Sequence, residues 1–456
     1  MTLINASGMR PQQDSPMWPY HPELLARPVP RYTSYPTALE FSPSVGAEAQ
    51  LEALQRLPRG TGISLYAHIP FCKIICWYCG CNTHRANKPA RVENYLEVLQ
   101  AEIDWLAGRV GGRVRLDRLS FGGGSPNSLE PAGFVRLVGQ IISLFGNDRP
   151  EISVELDPRT FEGEWRTLLG KVGISRASFG VQTLEPDVQK RVGRIQPLEM
   201  IVEGTKALRD SGVRSLNFDL MYGLPGQTTD HLLHTIDQAL ELGPDRIALF
   251  GYAHVPQQIP RQRQIDAHDL PGMEERFRSA ALGHARLVAA GYQAVGFDHF
   301  AKPDDPMAVA ARNGTLRRNF QGFTDDQSEV LLGVGATAIT CTPELILQNE
   351  KNLGQYRELV AEGLPPATLG VRRTTDDRER GLIIEELLCG RAADLSVMAE
   401  NGLVELRLQP FLRHGLCTLA DNRLQVTSAG LPYARAIASC FDRYRNHPSE
   451  RFSNAI

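Results

Sequence analysis

The chain has 456 residues, 42% of them apolar and 22% charged, with a formal net charge of −3. That length suggests two or three globular domains. No basic block points to a phosphate-backbone partner, no run of about 18 apolar residues marks a membrane span, and the polar, proline-bearing stretch from Met1 to Tyr20 lacks the apolar core of a secretory signal. A cytoplasmic protein without a nucleic-acid or membrane partner is expected.

Residues 1–50 read as an N-terminal arm. It contains Pro30-Arg31-Tyr32-Thr33-Ser34-Tyr35-Pro36-Thr37, whose prolines favour extended chain. From 51 to 310, short apolar runs at 64–69, 116–121, 152–156, 176–181, 215–221, 246–251 and 293–297 read as buried strands. Between them, residues 92–106, 134–145, 200–211, 231–242 and 273–290 carry helical periodicity. This alternation predicts an α/β fold of βα units around a parallel sheet. Six or seven units exceed a small doubly wound domain and fit a complete or partial (β/α) barrel. Residues 311–456 lose the alternation and read as a mostly helical C-terminal domain with a small hairpin, 415–419 and 424–427, turning at Ala420-Asp421-Asn422. Helix–hairpin–helix resembles a winged helix. Without a basic recognition helix, it reads as a structural lid.

The eight cysteines are unevenly spread. Cys341, Cys389, Cys417 and Cys440 are scattered and read as core or free thiols. Cys72, Cys76, Cys79 and Cys81 crowd into a loop after the first strand. The C-x3-C-x2-C set suits a [4Fe–4S] cluster, because three thiolates on four irons leave one iron open to a ligand. The amino and carboxylate groups of S-adenosylmethionine can chelate an open iron. One electron then breaks its sulfur–carbon bond to give a 5′-deoxyadenosyl radical. Zinc is the alternative, with His68 or His84 as further ligands, but no second cysteine knuckle exists and C-x3-C is not the common zinc step. Cys81 would close the open iron if it bound, so it reads as a neighbouring non-ligand thiol.

Other distinctive residues fall at the C-terminal ends of the expected strands, where a (β/α) barrel builds its site. Gly122-Gly123-Gly124-Ser125-Pro126 lacks a P-loop lysine. It is either a close backbone approach to a ligand or a tight turn. Glu155 ends the third strand and needs a partner there, either ligand hydroxyls or a salt bridge. Gln182 follows the fourth strand. Arg194 lies twelve residues on, as a fork for a carboxylate or a surface arginine. Asp219 closes the fifth strand and can bind hydroxyls.

The aromatic Tyr78 before Cys79 matches the radical S-adenosylmethionine superfamily. Tyr66-Ala67-His68-Ile69-Pro70-Phe71-Cys72, together with Cys81 and the Arg31–Thr37 arm, resembles the oxygen-independent coproporphyrinogen III oxidases, over about residues 30–442. The resemblance implies a cluster on Cys72, Cys76 and Cys79 and two bound S-adenosylmethionine molecules. It implies contacts to them from Tyr66, Tyr78, Gly123, Gly124, Ser125 (usually threonine in the family), Glu155, Gln182, Arg194, Asp219, Ala253 and Ile339. The methionyl amino group falls to the glycine loop, the methionyl carboxylate to Arg194 and ribose hydroxyls to Asp219. Asp298-His299-Phe300 and Arg317-Arg318-Asn319-Phe320 match family segments without an assigned role.

The implied activity is oxidative decarboxylation of two propionates of coproporphyrinogen III to vinyls, giving protoporphyrinogen IX. A ferredoxin- or flavodoxin-type protein would donate the electron. The chain is expected to act as a monomer. Arg31 and Arg318 are propionate-binding candidates on charge alone. Rival readings are another radical S-adenosylmethionine tetrapyrrole enzyme, a methyltransferase or haem-opening enzyme, and a non-enzymatic haem chaperone. The arm weighs against both, and Cys81 against the chaperone. One departure is recorded: where the family has an asparagine-led segment after Cys389, this chain reads Gly390-Arg391-Ala392-Ala393-Asp394.

Overall fold

Apolar, β-branched runs that are buried along most of their length become the central strands of the sheet. In the computed structural model, which describes residues 18–146, 149–398 and 402–445, these are β1 (Thr61–Ile69), β2 (Val114–Gly123), β3 (Glu151–Leu156), β4 (Ile174–Gln182), β5 (Ser215–Tyr222) and β6 (Arg246–Gly251). The intervening helices include α1 (Pro89–Val110), α2 (Pro131–Phe145), α3 (Trp165–Lys171), α4 (Leu198–Asp210) and α5 (Thr229–Glu241), with α6 (Met273–Ala289) after β6. Their ends follow local chemistry. Both α1 and α2 start on a proline and stop at a left-handed glycine, Gly111 (φ 57°) and Gly146 (φ 68°). Thr228 and His231 close a reciprocal cap on α5.

The six strands lie in sequential order, each parallel to the next. Sequential order with helical crossovers winds the chain in one direction, the topology of a (β/α) barrel. The barrel is partial: β1 is flanked by β2 and by a later strand, not by β6.

Two sequence expectations are corrected. The run at 293–297 is not a seventh parallel unit. Its strand β7 (Gln293–Val295) pairs antiparallel with β8 (His299–Ala301), which pairs antiparallel with β6. Only a short turn separates β7 from β8, and a parallel return needs a crossover of a dozen or more residues. The other neighbour of β1 comes from beyond residue 310, where helices were expected to dominate. There β9 (Val330–Val334) runs parallel to β1, and β10 (Ile339–Cys341), β11 (Leu345–Asn349) and β12 (Ala367–Arg372) extend the sheet antiparallel.

Beyond the sheet, α7 (Thr375–Leu388), α8 (Gly402–Arg413) and α9 (Ala434–Ser439) pack with a hairpin of Cys417–Ala420 and Arg423–Val426. The turn falls on Asp421 and Asn422, both at positive φ, which suits a two-residue hairpin. The departing segment contributes Ala393–Asp394 as a third strand to that hairpin. The arm runs across the end of β6. Arg435 donates to the carbonyls of Pro30 (3.2 Å) and Val29 (2.7 Å), Tyr32 donates to Asp442 (3.0 Å), and Arg31 donates to the Gly251 carbonyl (3.2 Å). Among the described residues no helix is long and apolar enough to cross a membrane.

Two carboxylates hold the frame. Glu102 on α1 is 2% exposed and accepts from the Gly335 amide (2.6 Å), Asn349 (2.7 Å) and Tyr356, so it ties α1 to the β9 end of the sheet. Asp325 accepts paired hydrogen bonds from Arg118 (3.0 Å) and Arg176 (2.8 Å), which join β2 and β4. These guanidinium groups hold its carboxyl well below the usual range against the opposing effect of burial. Removing it leaves two half-buried to buried cations short of a partner. Asp325→Ala is expected to cost about 3 kcal/mol of stability, read as a lower urea midpoint with an unchanged m-value.

Candidate active site

The cysteine loop is fixed by backbone before any ligand is considered. The chain leaves β1 through Pro70 and makes a short parallel bridge, Phe71–Cys72 with His84–Arg85. The glycine loop after β2 lies directly against it: the Gly124 amide donates to Ile69 (2.8 Å) and the Ser125 amide to Phe71 (2.8 Å). A Cβ on Gly124 would sit 2.5 Å from the Phe71 carbonyl oxygen, one on Gly123 2.3 Å from the His68 ring, and one on Gly122 2.6 Å from the Glu155 carboxyl carbon. Gly124, hemmed in by backbone, and Gly123, at φ 107°, therefore require glycine, whereas a Cβ at Gly122 would have to displace the Glu155 carboxyl. The loop is a tight turn that packs closely against the chain leaving β1.

Cys76 is 6% exposed, and its sulfur accepts from two guanidinium groups, Arg194 Nη1 at 3.1 Å and Arg159 Nη2 at 3.2 Å. Asp157 sits between these cations, 2.6 Å from Arg159 and 3.4 Å from Arg194. The Arg194 fork also donates to Gln196 (2.9 Å) and to the Gly180 carbonyl (2.5 Å). Two cations against one carboxylate leave the site short of negative charge, which a thiolate-bound cluster supplies. A hydrogen bond from Cys81 brings Cys79 down to about 6, toward the thiolate that binds metal. Burial and the Cys79 sulfur push Cys72 up to about 12, so metal binding must draw off that proton. Three sulfurs with compensating cations beside a glycine cradle fit a [4Fe–4S] cluster with one open iron.

The site residues fall into connected groups. Tyr66, Gly123 and Glu155 line a cavity of about 900 Å³ with His68 and Cys81. Glu155 accepts from the Gly123 amide (3.1 Å). It is open to the cavity but deep in the molecule, and lost solvation, with the nearby Asp219 charge, pushes it up to about 7. Asp219 accepts from Ser178 (2.7 Å) and Asn217 (2.8 Å) on β4 and β5. Desolvation nonetheless raises its pKa.

Gln182 stands at φ 63° at a register shift between β4 and β5, a strained position for a residue with a Cβ. Its amide and the Arg194 fork both crowd Gly180. Tyr78 packs against a cluster of Val188, Val192, Leu224, Tyr252 and Ile265. Its carbonyl and that of Ala253 both accept from the Gln262 amide, at 2.9 and 3.0 Å.

Two residues stand apart from these groups. The Ser125 hydroxyl is buried and donates to Asn127. Ile339 lines a separate cavity with Tyr32 and Phe320, and the Phe320 ring makes an edge contact with Tyr66, centroids 4.9 Å apart.

Sequence reasoning missed four contributors. Asp157 and Arg159 balance the cysteine loop, and their signal was present, since polar residues directly after a buried strand need partners. Asn127, fully buried, joins the glycine loop to the end of β3 through the Asp157 carbonyl (3.0 Å) and amide (3.1 Å). Gln262 lies in an irregular segment with no periodicity to mark it. His68 was considered only as a zinc ligand. Burial pushes it down to about 4, Tyr66 meets its Nδ1 at 3.1 Å, and its buried Nε2 has no partner at the cavity wall.

Arg31 and Arg318 also converge. Arg318 lies over Phe323, 4.4 Å from the ring centroid, and donates to the Arg31 carbonyl (3.0 Å). Arg31, Arg276 and Arg435 line one cavity with Ala253, and Asp298 is the carboxylate in its wall. Burial and the Arg31 charge bring Arg435 down to about 10. Arg276 Nε and Arg318 Nη1 are buried without a hydrogen-bond partner.

Comparison with known proteins agrees with this geometry. The Radical SAM superfamily profile matches residues 66–239. The chain is 40% identical to the oxygen-independent coproporphyrinogen III oxidase of Bradyrhizobium diazoefficiens, over 94% of this chain and 97% of that protein. It is 38% identical to the Escherichia coli enzyme of the same name, over 94% and 96%. The solved structure of coproporphyrinogen III oxidase (HemN) from Escherichia coli, a radical SAM enzyme, superposes with a TM-score of 0.88 at 38% identity, covering 94% of this chain and all of that one. With relatives this similar over nearly its whole length, the chain belongs to the oxygen-independent coproporphyrinogen III oxidase family of the radical SAM superfamily.

Proposed function

We propose that the protein converts two propionates of coproporphyrinogen III to vinyl groups, yielding protoporphyrinogen IX by oxidative decarboxylation. The observation that carries this reading is the concentration of guanidinium groups beside the cysteine site. Arg31, Arg276 and Arg435 line one cavity with Ala253 and Asp298, and Arg318 stands close enough to Asp298 and Arg31 to feel both charges. Such a set calls for an anionic ligand, and a substrate with four propionates supplies one.

When bound, the cluster and S-adenosylmethionine supply a 5′-deoxyadenosyl radical able to take hydrogen from a propionate β-carbon. The chain's residues prepare for that chemistry. Cys72, Cys76 and Cys79 hold the metal group, and Arg159 and Arg194 offset its negative charge. The Gly122–Gly124 cradle lets backbone approach the cofactor. Glu155 and Asp219 offer acceptors to its hydroxyls, and the orphan His68 Nε2 gives the cavity wall a further polar contact. Tyr66, Tyr78, Gln182, Ala253 and Ile339 complete the contacts inferred for two S-adenosylmethionine molecules. We take residues 51–310 as the radical SAM unit, 1–50 as an arm, and 311–456 as a C-terminal region whose strands between 330 and 372 continue the central sheet. Among the described residues all eight cysteines are free thiols, which suits a reducing cytoplasm. We take the chain to act as a monomer.

Three measurements test the reading. After anaerobic reconstitution, Cys72→Ser, Cys76→Ser and Cys79→Ser are each expected to lose most bound iron, whereas Cys81→Ser keeps it; equal loss in Cys81→Ser would make Cys81 a ligand. With reductant, S-adenosylmethionine and coproporphyrinogen III, mass spectrometry should find a product lacking two carboxyl groups. 5′-Deoxyadenosine without that product would refute the substrate. Arg276→Gln is expected to raise KM for coproporphyrinogen III about tenfold, the loss of one charge-assisted hydrogen bond. Its 5′-deoxyadenosine formation without substrate should stay unchanged.

A further inference from the structure

The cysteine loop has an outer face that the proposed chemistry leaves unused. Cys76 lies in its floor, and Ile74, Trp77, Arg85, Lys190, Ile195 and Arg261 are among the residues around it. Two of these are apolar and exposed, Ile74 at 43% and Ile195 at 63%. The remaining charged side chain in the lining is Arg159, so every charge that lines this face is positive. Lys190 is partly offset by Asp187 at 3.0 Å, an exposed pair of small energetic weight. Arg159 spans the wall: the same Nη2 that donates to Cys76 also donates to the Ile74 carbonyl (3.0 Å). A single side chain, Arg159, therefore links this face to a sulfur of the proposed cluster.

We propose that this face is the docking surface for a small acidic one-electron carrier protein, of iron–sulfur or flavin type. The proposal rests on the reading that the cysteine loop holds the cluster. Three features fit such a partner. The positive rim complements an acidic surface and steers its approach. The exposed isoleucines give a small apolar centre of the kind a brief redox encounter uses, with a contact area below about 1,200 Å². Docking here also sets the carrier against the wall that Cys76 shares with Arg159. In the transfer the carrier is oxidised by one electron and the group held by Cys76 is reduced by one. No proton or bond moves at this face.

The test uses the reconstituted enzyme and a reduced bacterial flavodoxin as the probe carrier. Cluster reduction is followed by loss of visible absorbance, and carrier binding by calorimetry. The double variant Arg85→Glu/Lys190→Glu is expected to slow reduction by flavodoxin, and weaken its binding, by about tenfold or more. Reduction by dithionite, which needs no docking, should be unchanged. Ile195→Asp tests the same face at an exposed apolar residue, should the double variant fail to fold, and is expected to act in the same direction. Unchanged flavodoxin reduction in either folded variant overturns the proposal. So does self-association of the enzyme that these substitutions abolish without slowing the carrier, which would assign the face to a second copy of the chain. An unmodified enzyme with no dithionite-reducible cluster overturns the underlying reading and the proposal with it. A reducible cluster with carrier reduction unaffected overturns the docking surface alone.

Discussion

The arrangement turns on one electrostatic constraint: an anionic sulfur site must sit inside a protein. Cys76 meets it with two guanidinium groups within 3.2 Å, drawn from different parts of the chain. Arg159 follows the end of β3, and Arg194 precedes α4. Each is anchored by Asp157, whose carboxyl they hold below the usual range against the penalty of burial. A buried cation without its anion is costly, so this region gains its full charge balance only when the sulfurs are ionised and a metal group is held. The geometry of β3, β4 and the cysteine loop is thereby linked to the cofactor.

The glycine loop sets the second constraint, which is space. Gly122, Gly123 and Gly124 each occupy ground that a Cβ would share with Glu155, His68 or the Phe71 backbone. Their bareness lets β2 deliver its loop against the chain that leaves β1. Asn127, just beyond, then ties that loop to β3. Three strand ends are locked together before any ligand arrives, which is the preorganisation that positioning chemistry requires. Strain is stored nearby: Gln182 and Thr337 are β-carbon-bearing residues at φ 63° and 67°, and Thr337 lines the cavity that holds Tyr66.

Charge also organises the rest of the molecule. On the inner side, Arg31 from the arm, Arg276 from α6 and Arg435 from α9 line one cavity with Ala253, where a polycarboxylate is proposed to bind. On the outer side, cations surround exposed isoleucines above Cys76. A net charge of −3 hides both patches, because charge balance over a whole chain says nothing about its distribution.

Much of this was legible from residue order. Strand and helix periodicity placed β1 to β6 and the principal helices to within a few residues, because a buried parallel strand and an amphipathic helix each impose their pattern on contiguous sequence. The cysteine spacing, the glycine run and the carboxylates at strand ends were likewise visible, since each depends on neighbours along the chain. The direction of β7 was not, because three residues carry too little pattern to tell a hairpin from a crossover. Nor was β9, whose neighbour β1 lies more than 250 residues earlier. The partners of Cys76, the convergence of the arginines and the burial of the Ser125 hydroxyl all depend on side chains far apart in sequence. The order of residues thus settled which chemistry the chain can hold. Only folding decided which charges face one another across it, because electrostatic balance and close packing are set by distance in space.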